Sequence, residues 1–198
     1  MTRQRNYEST LPESYVSQLT VDFTQKKPAL VMNLAALAVM AVLCVLFWRL
    51  IRPWDALLET PPEAVWRKLL VFAVSAVVYL VLHELLHGAA YHLLTGHRLT
   101  FGLTWSAAYC GVPDIFVYRK AALTALLTPF AVFSVVFPLL MVLLSDPVDK
   151  FIAGFLLACH IGGCAGDLYD TGLYLFRFRD PATLMQDTGP KQTFYTNR

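Results

Sequence analysis

The chain has 198 residues, of which 57% are hydrophobic and only 15% are charged, and its net charge is +2. Ordinary soluble domains carry about 25% charged residues, so this composition indicates an integral membrane protein. Without a cluster of basic residues, the small positive charge gives no support to nucleic-acid binding. The polar first 28 residues lack the apolar core of a secretory signal peptide.

Long apolar segments divide the chain into a polar arm (1–28), a membrane domain (29–176) and a polar tail (177–198). Of the 16 Lys and Arg residues, 11 lie in the arm, in the tail and in the loop between the second and third apolar segments. The positive-inside rule therefore predicts that both termini are cytoplasmic. The predicted membrane-spanning helices are residues 29–50, 69–94, 121–144 and 151–176.

The loop between the second and third predicted spans has a different periodicity. Hydrophobic side chains alternate with polar or small ones over residues 99–105, which predicts a strand. Gly111 and Pro113 favour a turn, so residues 115–118 are expected to return as a second strand, although an irregular loop is the alternative. The predicted fold class is an all-α membrane protein with about four transmembrane helices and a small membrane-associated β-hairpin between helices 2 and 3.

The second predicted span carries the motif His83-Glu84-Leu85-Leu86-His87. Two histidines four residues apart on a helix lie about 40° from each other around the axis, so both imidazoles can reach one metal ion. Glu84 stands beside the first histidine, where its carboxylate can take a proton from a metal-bound water. Ionisable residues inside an apolar span are costly and therefore indicate function. The motif predicts a catalytic zinc site.

A catalytic zinc usually takes three protein ligands and a water molecule, so one ligand is missing from the motif. No glutamate follows Glu84, which leaves Asp167, Asp170, His160 and Cys164 of the fourth span. On a straight helix Asp167 lies about 24 Å along its span, between the estimated depths of the two motif histidines at about 21 and 27 Å. His160, at about 14 Å, is too shallow unless the helix shifts. Asp167 is the favoured ligand, and Asp170 stays open as an alternative ligand or as a residue that orients a histidine.

Further residues are candidates for lining the site or binding substrate. Asn33 lies about 6 Å from the cytoplasmic end of the first span, close to the estimated zinc level of about 10 Å. His160 is a candidate for the surroundings of the metal. Thr100 and Gly102, in the predicted hairpin, could pair with a locally extended peptide that adds as a strand.

Several short segments resemble one known family. They are Leu11-Pro12, HELLHG at 83–88, Leu-Thr-Phe-Gly at 99–102, Thr-Pro-Phe at 128–130, Gly-Gly-Cys-Ala-Gly-Asp at 162–167 and Asp-Thr-Gly at 187–189. Together they resemble a bacterial family of small membrane proteins described as "putative zincin peptidases", which is similar to the site-2 intramembrane proteases. The resemblance implies zinc ligands at His83, His87 and Asp167, a general base at Glu84 and a location in a bacterial plasma membrane. The Asn- and Pro-rich loop that usually precedes the ligand aspartate of site-2 proteases is absent before Asp167.

The expected function is therefore an intramembrane zinc metallopeptidase that acts on membrane-associated proteins or peptides. One alternative is a membrane transporter or sensor that binds metal without hydrolysis. Such a protein would not need Glu84 and would favour a polar path across both leaflets, whereas the first span has only hydrophobic residues between Asn33 and Arg49. A second alternative is a catalytically silent membrane scaffold.

Overall fold

A computed structural model describes residues 6–105 and 107–198. Within these ranges the chain is mostly helical, with six helices and seven strands. The helices are α1 (Lys26–Ile51), α2 (Trp54–Glu59), α3 (Pro62–Thr95), α4 (Arg119–Leu143), α5 (Pro147–Gly163) and α6 (Ala165–Phe176). The strands are β1 (Tyr7–Glu8), β2 (Tyr15–Asp22), β3 (Thr100–Leu103), β4 (Ala108–Gly111), β5 (Phe116–Tyr118), β6 (Leu184–Asp187) and β7 (Lys191–Asn197).

Three of the described helices, α1, α3 and α4, are long and apolar enough to cross a membrane. Helices α5 and α6 meet the same criterion only as a pair, which is bent by 46° at the break between them. The described residues therefore contain three candidate spans, or four if the bent pair counts as one. The break falls among Gly162, Gly163 and Gly166, where the backbone gains freedom and the helix loses propensity.

Helix α3 carries the His83–His87 motif near its carboxyl end and stops soon after it. Its last residue is Thr95, and Gly96 follows with a φ of 69°. A residue with positive φ directly after a helix is a common helix stop, and glycine adopts it without a steric penalty. The Gly96 N–H donates to the carbonyl oxygen of His92 at 2.8 Å. The second predicted span, residues 69–94, therefore ends within one residue of this helix.

The chain divides into two compact units, and the first contains all the strands. This unit is made of three segments, residues 1–32, 83–129 and 166–198. Its larger sheet has five antiparallel strands in the order β1-β5-β6-β7-β2. Val117, Met185 and Phe194 from this sheet are fully buried together with Tyr174 of α6. The sheet and α6 therefore share one hydrophobic core.

Four of the five strands in this sheet come from the segments predicted to be a polar arm and a polar tail. The expectation of an all-α fold with one hairpin was wrong in this respect. Strand β2 pairs with β7 along its whole length, from Tyr15 opposite Asn197 to Asp22 opposite Lys191. The alternation of Leu19 and Val21 with polar neighbours is a strand signal that could have revealed it. The predicted domain boundaries at residues 28 and 176 stay a prediction.

The hairpin between α3 and α4 exists, but its strand pairing differs from the prediction. Strand β3 pairs with β4, with Thr100 opposite Gly111 and Leu103 opposite Ala108. The predicted return strand is instead β5, which pairs with β1 and β6 in the larger sheet. The reason is burial, because Val112, Ile115 and Val117 are completely inaccessible to solvent. These side chains gain more from entering the core than from lining an exposed hairpin.

The second compact unit consists of residues 33–82 and 130–165. It holds α2, α5 and parts of α1, α3 and α4, and its helices approach closely at small residues. A Cβ atom on Gly162 of α5 would lie 2.7 Å from the carbonyl oxygen of Ala36 in α1. Lys68 of α3 forms ion pairs with Asp146 and Asp149 at the start of α5. Small residues at crossings let apolar helices approach closely, and ion pairs near helix ends add polar contacts between them.

Candidate metal centre

Helix α3 brings the two motif histidines together in the first compact unit. His83 and His87 are four residues apart, and their Nε2 atoms are separated by 3.2 Å. Their rings meet edge to face, with centroids 4.9 Å apart. Only 6% of His83 and 7% of His87 is exposed. Helical spacing thus places two imidazole nitrogens at one buried point.

Asp167 supplies a third donor from the first turn of α6. Its Oδ2 atom lies 3.4 Å from Nε2 of His83 and 3.4 Å from Nε2 of His87. A carboxylate in the first turn of a helix is stabilised by the free N–H groups there. Because α6 starts anew at Ala165, Asp167 occupies a helix start rather than the middle of a straight span.

The three donor atoms have the geometry of a zinc site. With Zn–N and Zn–O bonds of about 2.0 Å in a tetrahedron, neighbouring ligand atoms lie about 3.3 Å apart. The observed separations of 3.2, 3.4 and 3.4 Å match this value on all three sides. Two imidazoles and one carboxylate form a donor set that zinc accepts, and three protein ligands leave the fourth position for water. The residues present therefore fit a catalytic zinc ion.

A backbone carbonyl sets the protonation of His87. Its Nδ1 lies 2.9 Å from the carbonyl oxygen of Ala125 in α4, and a carbonyl oxygen only accepts hydrogen bonds. Nδ1 therefore carries the hydrogen and donates it, which leaves a lone pair on Nε2 for a metal ion. The sequence could not reveal Ala125, because its contribution comes from the backbone and carries no side-chain signal.

Glu84 is half-buried beside the donor cluster. It interacts electrostatically with His83, His87 and Asp167. A carboxylate next to a metal-bound water is in a position to accept a proton from it.

The structure separates Asp167 from the alternative ligand Asp170. Asp170 lies three residues further along α6, is 2% exposed and does not belong to the group of close donor atoms. Its Oδ1 atom has no hydrogen-bond partner among the described residues. The geometry thus brings Asp167 to the two histidines and leaves Asp170 as a buried acid one turn away.

Two predicted residues belong to the second unit. Asn33 lies on α1, and His160 is fully buried on α5. His160 contacts the Tyr79 hydroxyl group at 3.2 Å through Nδ1 and the Phe130 carbonyl oxygen at 3.3 Å through Nε2. Their suggested roles at the zinc stay a prediction.

The two predicted hairpin residues serve the hairpin itself. The Thr100 hydroxyl group donates to the carbonyl oxygen of Gly111 at 3.3 Å, across the β3–β4 pair. Gly102 faces the Tyr109 side chain, because a Cβ atom on Gly102 would lie 2.4 Å from the Tyr109 hydroxyl oxygen. Gly102 therefore makes room for the tyrosine opposite it.

The hairpin packs closely on the motif helix at Gly88, which directly follows His87. A Cβ atom there would lie 2.9 Å from Phe101, 3.0 Å from Leu99 and 3.3 Å from Cys110. Burial raises the pKa of the Cys110 thiol to about 12, so this thiol stays protonated at neutral pH. The glycine lets β3 and β4 lie next to the turn of α3 that carries His83 and His87.

Tyr91 and Asp187 form a contact that the sequence did not predict. The Tyr91 hydroxyl group donates to Oδ2 of Asp187 at 2.7 Å, and both residues are almost completely buried. Tyr91 follows His87 by four residues and thus lies on the same face of α3. That spacing was a signal for Tyr91, whereas Asp187 is 96 residues away in the chain.

Comparison with known proteins gives one match. No curated protein and no solved structure matches the chain. The sequence profile of one family matches residues 76–182, which is more than half of the chain and includes Glu84 and the three donor residues. The chain therefore belongs to the family described as "putative zincin peptidase".

Proposed function

We propose that the protein is an intramembrane zinc metallopeptidase of the site-2 protease type. The observation that carries this proposal is the triangle of donor atoms from His83, His87 and Asp167, whose sides match those of a tetrahedral zinc site. Two of the donors lie on α3, one of the helices that are apolar enough to cross a membrane. Membership of a zincin-type family supports the same reading.

The larger sheet supports four membrane crossings rather than three. Strands β2, β5 and β6 lie in one sheet, so in a membrane they must lie on one side of the bilayer. The chain crosses through α1 and α3 between β2 and β5, which returns it to the starting side. Between β5 and β6 it passes through α4 and the bent pair α5–α6, and only two crossings keep β6 in the sheet. The bent pair therefore counts as one span in this proposal.

In the proposed mechanism, this chain's residues divide the work. His83, His87 and Asp167 hold the ion, and bound zinc would supply Lewis acidity to a water molecule and to the scissile carbonyl group. Glu84 accepts the proton of the attacking water and returns it to the departing amine. The buried donor cluster keeps the surrounding dielectric low, which strengthens these electrostatic interactions.

The substrate in this proposal is a membrane-associated protein or peptide that is locally extended. A helical peptide hides its amide bonds, so a strand-like segment is needed at the zinc. Among the described residues β3 pairs only with β4, so β3 offers a free edge beside the motif helix. Its exposed Phe101 and Leu103 suit contact with lipid or with an apolar peptide.

The test combines metal analysis with cleavage of membrane-anchored peptides. Purified protein in liposomes would be mixed with fluorogenic peptides that carry an apolar anchor of about 20 residues. We expect about one zinc ion per chain and measurable cleavage. Glu84→Gln should keep the zinc and lower the cleavage rate by about 10²- to 10⁴-fold, because Gln is nearly isosteric but cannot act as a base.

The control for the metal analysis is His92, the third histidine of α3. His83→Ala should lose the zinc, whereas His92→Ala should retain it, because His92 is exposed on α3. Zinc binding with no effect of Glu84→Gln on cleavage would contradict the peptidase mechanism. Zinc binding without any cleavage would favour a transporter or sensor, and a protein that binds no zinc would favour a scaffold.

A further inference from the structure

Asp187 joins the C-terminal part of the large sheet to the metal-binding helix. It is 3% exposed at the end of β6, and its Oδ2 atom accepts the hydroxyl hydrogen of Tyr91 at 2.7 Å. Tyr91 is 1% exposed and lies one helical turn after His87 on α3. A short hydrogen bond between a phenol and a buried carboxylate is strong and directional. Asp187 thereby holds α3 close to the motif.

The other oxygen of the same carboxylate holds the turn between β6 and β7. Oδ1 accepts from the backbone N–H of Gly189 at 2.9 Å and from Nε2 of Gln192 at 3.3 Å. Gln192 Nε2 also donates to the Gly189 carbonyl oxygen at 2.5 Å. Gly189 has a φ of 98°, which favours glycine at this position. One carboxylate oxygen of Asp187 thus bonds to α3, and the other bonds to the β6–β7 turn.

The β6–β7 turn also contacts β4 of the hairpin. The Val112 N–H donates to the backbone carbonyl oxygen of Asp187 at 2.8 Å. A Cβ atom on Gly111 would lie 2.3 Å from the Gly189 nitrogen, so the two backbones touch. The Tyr109 ring packs on Gly189 from the same strand. Asp187 therefore stands where α3, the β6–β7 turn and β4 meet.

Burying the Asp187 carboxylate lowers the stability of the fold. Burial raises the pKa of Asp187 to about 6, although the hydrogen bonds from Tyr91 and Gly189 lower it, as do the nearby His87 and the bond from Gln192. A buried charge is costly even when it is hydrogen-bonded, so apolar side chains would stabilise this junction at lower cost. The arrangement suits a residue that fixes orientation.

We propose that Asp187 is a positioning residue of the metal centre, which acts through Tyr91 to align the metal-binding turn of α3 with strand β4 and with a peptide held by the β3–β4 hairpin. This role rests on the proposed peptidase function. Asp187 and Tyr91 do not belong to the group of zinc donors, so their replacement leaves the ion in place. What changes is the position of the ion and Glu84 relative to the extended substrate.

The test uses two variants that each remove one side of the contact. Tyr91→Phe deletes only the hydroxyl group, and Asp187→Asn puts an amide group where one of the two accepting oxygens stood. The matched control is Tyr195→Phe, because Tyr195 lies in the same sheet and donates to Gln186 at 3.4 Å. All are compared as full-length, zinc-loaded protein in detergent.

Two readouts separate alignment from stability. Hydrogen exchange should be about tenfold faster for the amides of residues 108–112 in Tyr91→Phe and Asp187→Asn, and unchanged in Tyr195→Phe. Zinc content should be equal in all the variants. The kcat/KM for an anchored fluorogenic peptide should fall about tenfold or more in both variants, mainly through kcat. The double variant should be no worse than Asp187→Asn alone, because both replacements remove the same Tyr91–Asp187 contact.

The outcomes are distinct. Unchanged exchange at residues 108–112 in both variants overturns the proposal, whatever the activity. Faster exchange with unchanged kcat/KM also overturns it, because Asp187 would then be structural only. A parent protein that binds zinc but cleaves no peptide contradicts the peptidase function instead. In that case the exchange measurement alone decides whether Asp187 aligns α3 with β4.

Discussion

Asp167 and Asp170 are three residues apart on α6, yet only Asp167 places an oxygen 3.4 Å from both histidine Nε2 atoms. We therefore expect Asp167→Ala to lose most of its zinc, because a site with two protein ligands holds the ion weakly. Asp170→Ala should retain zinc and is the control on the same helix. Metal analysis of both purified variants checks this prediction. Full retention in Asp167→Ala with loss in Asp170→Ala would move the third ligand to Asp170.

The raised pKa of Asp187 predicts how stability depends on pH. Burial lifts this pKa from 3.8 to about 6, so between these values the folded protein binds more protons than the unfolded one. The contribution of Asp187 to stability is therefore present below about pH 4 and is lost as the pH rises through about 6. Its size is about 3 kcal/mol.

Thermal unfolding in detergent between pH 4 and 7.5 checks this dependence. Asp187→Asn should lack it, so its stability relative to the parent should improve as the pH rises. The same replacement at exposed Asp114 should leave the slope unchanged. Identical slopes in the parent and in Asp187→Asn would show that Asp187 keeps an ordinary pKa in the fold.

The sequence predicted those site residues that lie close together in the chain. His83, Glu84 and His87 lie within one turn of a helix, so their spacing alone predicts a shared site. Asp167 emerged from matching depths along two spans. The Ala125 carbonyl and Asp187 could not be predicted, since both reach the site only through tertiary packing.

The β3–β4 hairpin allows a sharper test of substrate binding than the sequence offered. The Thr104 N–H donates to the Ala107 carbonyl oxygen at 2.8 Å, so Thr104 faces β4 at the turn. In an antiparallel ladder this orientation alternates, which places the N–H groups of Thr100 and Gly102 toward β4 and those of Phe101 and Leu103 toward the free edge. A peptide that adds to β3 would therefore bond to Phe101 and Leu103.

Proline at Leu103 removes an edge-facing N–H and should raise the KM for an anchored peptide several-fold, with zinc content unchanged. Proline at Gly102 is the contrasting control, because it removes a bond inside the hairpin and should loosen β3 from β4. Circular dichroism and hydrogen exchange distinguish the two effects. A folded Leu103→Pro variant with parental KM would place substrate docking elsewhere.

Helices were easier to predict than strand partners because apolar length is a property of one segment. Three of the predicted spans correspond to α1, α3 and α4. Residues 115–118 were correctly expected to be extended, but a strand there could pair either in the hairpin or in the larger sheet. The choice depended on the buried positions of Val112 and Ile115, which only the assembled core reveals.

For the whole molecule, the sheet and the charge distribution lead to the same topology. Strands from the arm, the α3–α4 connection and the tail share one sheet, and these segments carry 11 of the 16 Lys and Arg residues. We therefore expect all three segments in the cytoplasm. Reporter fusions after residue 24, within residues 104–107 and after residue 198 should all report the cytoplasmic side. A fusion between α1 and α3 should report the opposite side. A tail on the other side from the α3–α4 connection would contradict four spans, whereas a fully inverted pattern would contradict the cytoplasmic orientation.

The pairing of β2 with β7 has a consequence for the order of folding. The Thr20 and Thr193 hydroxyl groups meet at 3.2 Å although 173 residues separate them in the chain. Contacts between such distant residues form late, because a long loop must close first. During synthesis the motif helix α3 is complete well before β6 brings Asp187 to Tyr91. The turn that carries His83 and His87 therefore forms before the Tyr91–Asp187 contact that we propose aligns it. A partly synthesised chain would carry the candidate zinc ligands before they are aligned with strand β4.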